Sequence, residues 1–508
     1  MNLAGIVIGA GWLVALFLPH LKVISQPGPV EYNEPAIWHA TWLLDHGRNP
    51  YTAKELPGAA YCFGPLYNYV VIAFKPLLGL DYSAHRMVNL IFLAGALFLM
   101  ARLMRKAGAG LGIALLATAC YYWMSLYNIM ITARPDTMGL FFFLLGLFVP
   151  WEFNYTRWPT IIGLLCALVA FHCKFYFALA GCATLLGVFL VRSKREGCWL
   201  GVGFFAALGL SFLGFWRAFP YYYLETVVIQ RYAAILNSHQ DISDMHTVML
   251  WERAWPFLLI MAGGFVAWLW RRQAVGRGKP EEKSRTGLAW ISATRTEALS
   301  GIFLIFLLVV FCYMGRNAGA FFTYHLHLLF PPMFVLTACV ITRPWIRIAA
   351  GLLLGSFVMG RLDIPPVPDA TVPYRHLEDL ITGPSPGEIL GIPCLTDIFE
   401  RNDRKVLHNG NTMFLGFALA DGRAARDPMA AIIENDFREV EAEATARLKA
   451  QIYGLVFTEF DRPVYSEEEV LKKYYDKVEE VNYFTYFGHS PVGVWRPKSR
   501  NNPSGGQP

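Results

Sequence analysis

Charge is what this sequence is short of. Only 16% of its 508 residues are Asp, Glu, Lys or Arg, where a soluble domain carries about a quarter. Apolar residues fill the gap at 55%. An ordinary soluble enzyme and a disordered chain are both excluded by that balance. Cysteine is scarce as well, at nine, and Cys120, Cys166, Cys173, Cys182, Cys312 and Cys339 lie inside apolar runs, where they read as small buried hydrophobes. A disulfide scaffold is therefore excluded; only Cys62 and Cys394 fall in segments outside those runs, and nothing in the sequence pairs them. Nor is there a small-residue cleavage site after the first apolar run, which ends in Lys22-Val-Ile-Ser-Gln-Pro, so that run reads as an uncleaved first span. No internal repeat is visible, which weakens an inverted-repeat transporter.

The charges that are present divide the chain in two. Residues 1–362 hold 28 Lys and Arg against 15 Asp and Glu, and residues 363–508 hold 16 against 23. The basic part is also the apolar part, as expected of an integral membrane domain (1–362) followed by a mildly acidic α/β domain (363–508). The basic residues sit in loops between apolar runs, so the net charge of +6 gives no reason to expect a nucleic-acid partner; the lipid bilayer is the expected one. Runs near the 20-residue crossing length fall at 3–21, 87–104, 111–131, 137–153, 159–175, 177–192, 198–218, 255–270, 298–314, 324–342 and 345–361. The predicted fold class is thus a polytopic α-helical membrane protein of about 11 spans with a small C-terminal α/β extracytoplasmic domain.

Alternate loops carry Arg102/Arg105/Lys106, Arg157, Arg192/Lys194/Arg195, the basic residues from Arg271 to Arg295, and Arg343/Arg347. By the positive-inside rule these loops are cytoplasmic. The N-terminus is then cytoplasmic and residues 363–508 are periplasmic, at a bacterial inner (plasma) membrane. Two long outer loops follow, 22–86 and 219–254. The first contains a semi-apolar piece, Ala59 to Leu80, broken by Gly64-Pro65 and Lys75-Pro76, and is expected to form helices along the interface. The second is rich in Tyr221, Tyr222, Tyr223, Tyr232, Trp251 and Trp255, which suits a headgroup-level belt. The tail starts after Ile364-Pro-Pro-Val-Pro and reads as strands at 388–392, 405–408, 453–458 and 492–495 alternating with helices. Ser466-Glu-Glu-Glu469 has the form of a capping box. The tail carries no phosphate loop, metal cluster or nucleophile motif and reads as an accessory domain.

Ionisable residues beside spans are expensive to place there and are functional candidates by default. Glu31 and Glu34, just after the first span, are three residues apart and can converge on one ligand, although loop-solvating acids are the plainer reading. Arg134-Pro135-Asp136 sits at the outer end of the third span: Asp136 suits a helix start and Arg134 can snorkel, but an Arg for a phosphate and an Asp for a metal or sugar hydroxyl fit equally. Lys174 lies at the outer end of the fifth span. Arg316 leads into Tyr324, His325 and His327 at the start of the tenth; the two histidines, two apart, point different ways on a helix and make a poor metal pair, while Tyr324 and His325 can hydrogen-bond a phosphate or sugar. All of these fall on one face under a topology fixed separately by loop charge. Carboxylates beside a cationic pocket at membrane depth suit a lipid-phosphate substrate.

The order of these signals, from the acidic motif through Gly47-Arg-Asn-Pro-Tyr51, Tyr61-Cys-Phe-Gly-Pro-Leu-Tyr67, Ala133-Arg-Pro-Asp136 and Lys174 to Gly315-Arg-Asn with Tyr324, resembles the GT-C superfamily of polytopic membrane glycosyltransferases, in particular the protein O-mannosyltransferase and lipid A aminoarabinose transferase type. The resemblance covers about residues 1–342. It implies an inverting glycosyltransferase moving a sugar from a polyprenyl-phosphate donor to an extracytoplasmic acceptor (a glycan, lipid or protein). Glu31 or Glu34, with Asp136, would be its catalytic acids, and Arg134, Lys174, Arg316, Tyr324 and His325 its donor-binding residues. A divalent metal, Mg or Mn, held by Asp136 is one way to stabilise the leaving phosphate. Where the family commonly has Asp-Glu, this chain has Asn33-Glu34, which leaves open which glutamate is the base. The competing class is a transporter or flippase of lipid-linked sugars, which would need polar residues through the bilayer rather than at one face.

Overall fold

The first apolar run forms one helix, α1 (Asn2–Ile24). The computed structural model describes residues 2–31, 33–51, 61–123, 132–228, 344–359, 369–384, 388–402, 442–459, 468–485 and 488–498, with isolated positions between 255 and 335 and at 438–439. After α1 come α2 (Glu34–Asp45), α3 (Leu66–Leu78), α4 (Tyr82–Lys106), α5 (Leu111–Tyr121), α6 (Asp136–Glu152), α7 (Arg157–Phe171), α8 (Leu179–Gly187) and α9 (Lys194–Ala218). A 3-10 turn, Phe175–Ala178, leads into α8 and a π turn, Val188–Arg192, continues it. Two of the starts are capped by a side chain: the Asp81 carboxylate accepts the Ala84 N–H and the Ser193 hydroxyl accepts the Glu196 N–H, each satisfying one of the amides that a helix start leaves without a partner.

Among the described residues four helical stretches are long and apolar enough to cross a bilayer: Leu3–Ile24, Tyr82–Lys106, Phe175–Arg192 and Lys194–Ala218. They coincide with the expected spans 3–21, 87–104, 177–192 and 198–218. The expected spans 111–131, 137–153, 159–175 and 345–361 correspond to α5, α6, α7 and α10 (Pro344–Met359), with residues 124–131 outside the described residues. Those at 255–270, 298–314 and 324–342 lie outside them apart from isolated positions. The semi-apolar piece of the first loop is α3, whose 13 residues reach only about 20 Å, short of the roughly 30 Å hydrocarbon core.

α1 packs on α5, and α6 on α4, α7 and α8. Leu16, Leu93, Met100, Ala117, Leu140, Phe143 and Leu144 are fully buried between them. α9 is different, turning Trp199, Phe205 and Leu210 outward, each more than half exposed. In water such a stripe is a liability; against lipid it is the expected face. One end of the bundle gathers basic residues. Arg102 and Lys106 at the end of α4 reach Glu152 at the end of α6, and Arg192 donates to the Tyr155 carbonyl. The starts of α2, α4 and α6 lie at the other end.

The tail contains α11 (Thr371–Thr382), β1 (Glu388–Leu390), α12 (Thr396–Arg401), β2 (Tyr453–Glu459), α13 (Glu468–Tyr474), β3 (Tyr475–Thr485) and β4 (Gly488–Pro497). Its strands form one sheet in the order β1-β2-β4-β3, with β1 parallel to β2 and the other pairs antiparallel. Three of the strand expectations correspond to β1, β2 and β4, and 405–408 lies outside the described residues. The 11-residue β3 was not anticipated, because the capping signal at 466–469 draws the reading towards a longer helix, whereas α13 ends at Tyr474 and the chain turns straight into a strand.

The tail does not stand apart from the acidic motif of the first loop. The Tyr483 hydroxyl donates to the Pro29 carbonyl, and the Ala370 N–H donates to Gln26 Oε1 at 2.9 Å. His39 of α2 meets Glu400 of α12 at 2.7 Å. At Gly28 a Cβ would lie 2.2 Å from the Tyr374 ring, so only glycine lets the loop and α11 close on one another. Cys62 and Cys394 are both free thiols. Replacing Gly28 by Val is expected to lower stability by about 1–3 kcal/mol through overpacking, read as a drop in Tm of the detergent-purified protein; an unchanged Tm would mean that α11 and the loop do not close in solution.

Candidate functional site

Six charged side chains meet at the starts of α2, α4 and α6 and the end of α7. Five of them, Glu31, Glu34, Arg86, Arg134 and Asp136, are no more than 2% exposed, and Lys174 is 10% exposed. Burying so much charge is tolerable only when every charge is paired and hydrogen-bonded, and the pairing here falls into two parts.

The first is Glu34 with Arg86. Arg86 donates through Nε to Oε1 at 2.9 Å and through Nη2 to Oε2 at 2.7 Å, a bidentate pair. The Val30 and Ala133 amides, both at 2.6 Å, supply the carboxylate with two more donors. The remaining Arg86 donors bind the carbonyls of Val23, Gln26 and Gly28. One ion pair thereby fixes the end of α1, the loop after it and the backbone ahead of α6. Asn89 adds to the last of these by donating to the Thr132 and Arg134 carbonyls.

The second part is a chain: Glu31, Arg134, Asp136, Lys174. Arg134 Nη1 lies 3.1 Å from Glu31 Oε1 and its Nε 3.0 Å from Asp136 Oδ2, while Lys174 Nζ lies 2.6 Å from Asp136 Oδ1. Asp136 opens α6 right after Pro135, as the plain helix-start reading expects. Glu31 does not share a helical face with Glu34; it precedes α2, in a turn where the Asn33 amide and side chain both donate to its carboxylate at 3.0 and 2.8 Å. Burial is the main influence on its proton and pushes the carboxyl up from 4.5 to about 7, with Arg134 pulling down and Glu34 pushing up.

Lys174 sits in a recess made by the segment 61–65. Its ammonium lies 5.1 Å from the centre of the Phe63 ring and 5.9 Å from that of Tyr176, a cation–π arrangement. Gly64 is what allows the approach, since a Cβ there would lie 1.9 Å from the His172 carbonyl oxygen. Tyr61 and Asn68 brace the segment: the Tyr61 hydroxyl donates to Asn68 Oδ1, and the Asn68 amide donates to the Ile37 carbonyl and the Thr41 hydroxyl.

Of the residues singled out from the sequence, Glu31, Glu34, Arg134, Asp136 and Lys174 come together here. Arg316, Tyr324 and His325 lie outside the described residues. Arg86 was missed, and it is the centre of the first part; the signal available was an arginine at the edge of an apolar run, in Tyr82-Ser-Ala-His-Arg86. Among the described residues no group of three or more His, Cys, Asp and Glu side chains is placed to hold a metal ion. The donor set also fits a dication poorly, because the Arg134 guanidinium occupies the space between Glu31 and Asp136 that a metal would need.

No family profile and no curated protein matches this chain. Among solved structures it is similar to ArnT from Cupriavidus metallidurans bound to undecaprenyl phosphate. The alignment is 11% identical, covers 95% of this chain and 97% of that one, and has a TM-score of 0.31. That score is too low to carry a conclusion about fold or function.

The Glu34–Arg86 pair is expected to behave as a buried ion pair. Arg86→Met, which strands the Glu34 charge, should cost about 3–5 kcal/mol, and Glu34→Leu a similar amount. The double variant should lose clearly less than the sum, because neither charge is then left alone. Urea unfolding of the four proteins measures the coupling; simple additivity would remove the pair from its organising role.

Proposed function

We propose that the chain is a membrane-embedded glycosyltransferase that moves a sugar from a polyprenyl-phosphate donor to an extracytoplasmic hydroxyl, with Glu31 as its base. The observation that carries the reading is the Glu31–Arg134–Asp136–Lys174 chain, which joins a carboxyl poised near neutrality to two cations beside apolar helices. A base works best when its pKa lies near the working pH, and Glu31 is held at about 7. Glu34 is a poor candidate for that task, since four donors already occupy its carboxylate.

In the reaction Glu31 takes the proton of the acceptor hydroxyl as that oxygen bonds to the anomeric carbon. The bond from that carbon to the phosphate oxygen breaks, its electron pair stays on the phosphate, and polyprenyl phosphate leaves. A single displacement inverts the anomeric centre. Arg134 and Lys174 face the developing charge, in a water-poor site where such stabilisation is strongest. With Glu31 ionised, as the reaction requires, these six side chains carry no net charge, and the anionic donor meets the cationic end of the chain at Lys174. Lys174, the most exposed of the six, is the group through which the phosphate makes contact. Asp136 bridges Arg134 and Lys174 and keeps both where the phosphate needs them. A dication is not part of this scheme, for the reason of donor geometry already given. The protein lies in the inner membrane with residues 363–508 periplasmic and the acidic motif on the same side, which fits the basic residues gathered at the far end of the bundle.

The raised Glu31 pKa has two consequences of opposite sign. The folded state holds this proton more tightly than the unfolded chain, so stability from this group falls as pH rises from 4.5 to about 7. Activity needs the deprotonated form, so kcat/KM should climb about tenfold per pH unit up to about 7 and then level. Glu31→Gln should abolish that limb and lower kcat by about a hundred- to ten-thousand-fold with Tm unchanged or raised. Consumption of a radiolabelled panel of polyprenyl-phosphate sugars by purified protein measures both. A Glu31→Gln protein that transfers at the wild-type rate would remove Glu31 from the mechanism, and a wild type that consumes no donor with any acceptor supplied would remove the transferase reading.

A further inference from the structure

Glu225 is a buried acid to which the scheme above gives no task. It follows α9 in a π turn, Leu224–Val228, and is fully buried. Its Oε2 accepts the Tyr61 N–H at 2.7 Å, while its Oε1 has no hydrogen-bond partner among the described residues. Three residues earlier the Tyr222 hydroxyl is also buried without a partner among the described residues. Two such groups three residues apart are unusual, since each buried polar atom left unpaired costs about 1–3 kcal/mol.

Around them the walls are aromatic. The Tyr51 ring lies 5.2 Å from Tyr222 edge-on, 5.6 Å from Tyr61 and 5.3 Å from Phe219. The Tyr51 hydroxyl is itself spent on the Phe63 carbonyl, so it leaves no polar competitor there. Aromatic rings beside a buried carboxyl and a phenol, each with hydrogen-bonding capacity unspent, are the chemistry that binds a sugar ring: stacking on the C–H face and hydrogen bonds to hydroxyls. The segment holding Glu225 also holds the phosphate cation, with Tyr61 N–H on Glu225 and Phe63 under Lys174. The two sites are joined through three residues of chain.

We propose that Glu225 and Tyr222 form a hydroxyl-binding subsite for a sugar ring, walled by Tyr51 and Tyr61, beside the phosphate-binding cations. The subsite rests on the transferase reading for its place in the reaction but is tested apart from it. Burial raises the Glu225 carboxyl well above the usual carboxylate range, which favours its protonated form. Oε2 accepts from Tyr61 and Oε1–H donates to a sugar oxygen. A sugar ring can come from the lipid-linked donor or from a glycan acceptor, and competition kinetics separate these.

The experiment uses the full chain in detergent and two probes, a panel of methyl hexopyranosides and methyl pentopyranosides and, separately, undecaprenyl phosphate without sugar. Wild type is expected to bind at least one glycoside and the lipid phosphate by calorimetric titration. Tyr222→Phe and Glu225→Leu should weaken the glycoside about tenfold or more and leave the lipid phosphate within about twofold. Glu225→Gln, which keeps an acceptor for Tyr61 and an N–H for the sugar, should stay within about threefold of wild type, whereas a purely structural carboxyl would show no such rescue of glycoside binding. If Glu225→Leu fails to fold, Tyr222→Phe decides alone. A glycoside that competes with the lipid-linked sugar places the subsite on the donor, and one that competes only with the acceptor places it there. Glycoside binding unchanged in both variants, or absent while undecaprenyl phosphate binds, overturns the subsite. Glycoside binding without any lipid-phosphate binding keeps the subsite and overturns the transferase reading instead.

Discussion

The buried pair of Glu34 and Arg86 is the interaction on which the rest depends. An unpaired charge at that depth is strongly unfavourable, so each side chain depends on the other for the surrounding chain to close over it. In doing so the two side chains collect three backbone carbonyls from residues 23–28 and two backbone amides at 30 and 133. Segments far apart in sequence acquire one geometry. Glu31 and Arg134 are one residue away from backbone groups held in this way, and their 3.1 Å separation follows from it.

Around that pair the molecule assigns different tasks to similar side chains. Glu31 and Glu34 are both buried carboxylates in one short motif, yet one is saturated by donors and the other is held near the point of protonation. The difference lies in their neighbours: Glu34 has a whole guanidinium, whereas Glu31 shares the single Arg134 with Asp136. Among the cations, Arg86 is closed in by carbonyls while Lys174 lies against aromatic faces with part of its surface open. Pairing closes in Glu34 and Arg86 and leaves Lys174 partly exposed.

The tail contributes to the same arrangement. Gln26, Gly28 and Pro29, on the loop that Arg86 grips from the bundle side, are held from the other side by Ala370, Tyr374 and Tyr483. A reading of the tail as a mere accessory follows from its lack of catalytic motifs. Its contacts give it a positional task, since a loop held on both sides keeps Glu31 in place as pH changes its charge.

What the sequence by itself determined is the placement of the described apolar helices and the identity of most charged residues in the buried cluster. Apolar runs of spanning length admit little other than helices, because an unpaired backbone amide is too costly in lipid, and charges beside such runs stand out for the same reason. Arg86, at the edge of a run, and Glu225, within an aromatic-rich loop, were not visible as special, because their importance comes from burial and from partners 52 and 164 residues away. Which glutamate is saturated and which is poised was likewise settled only by the fold: spacing places both acids near the first helix, but the number of donors each receives depends on where residues 86, 133 and 134 arrive in space. Local preference wrote the elements, and long-range pairing of buried charge decided what the site can do.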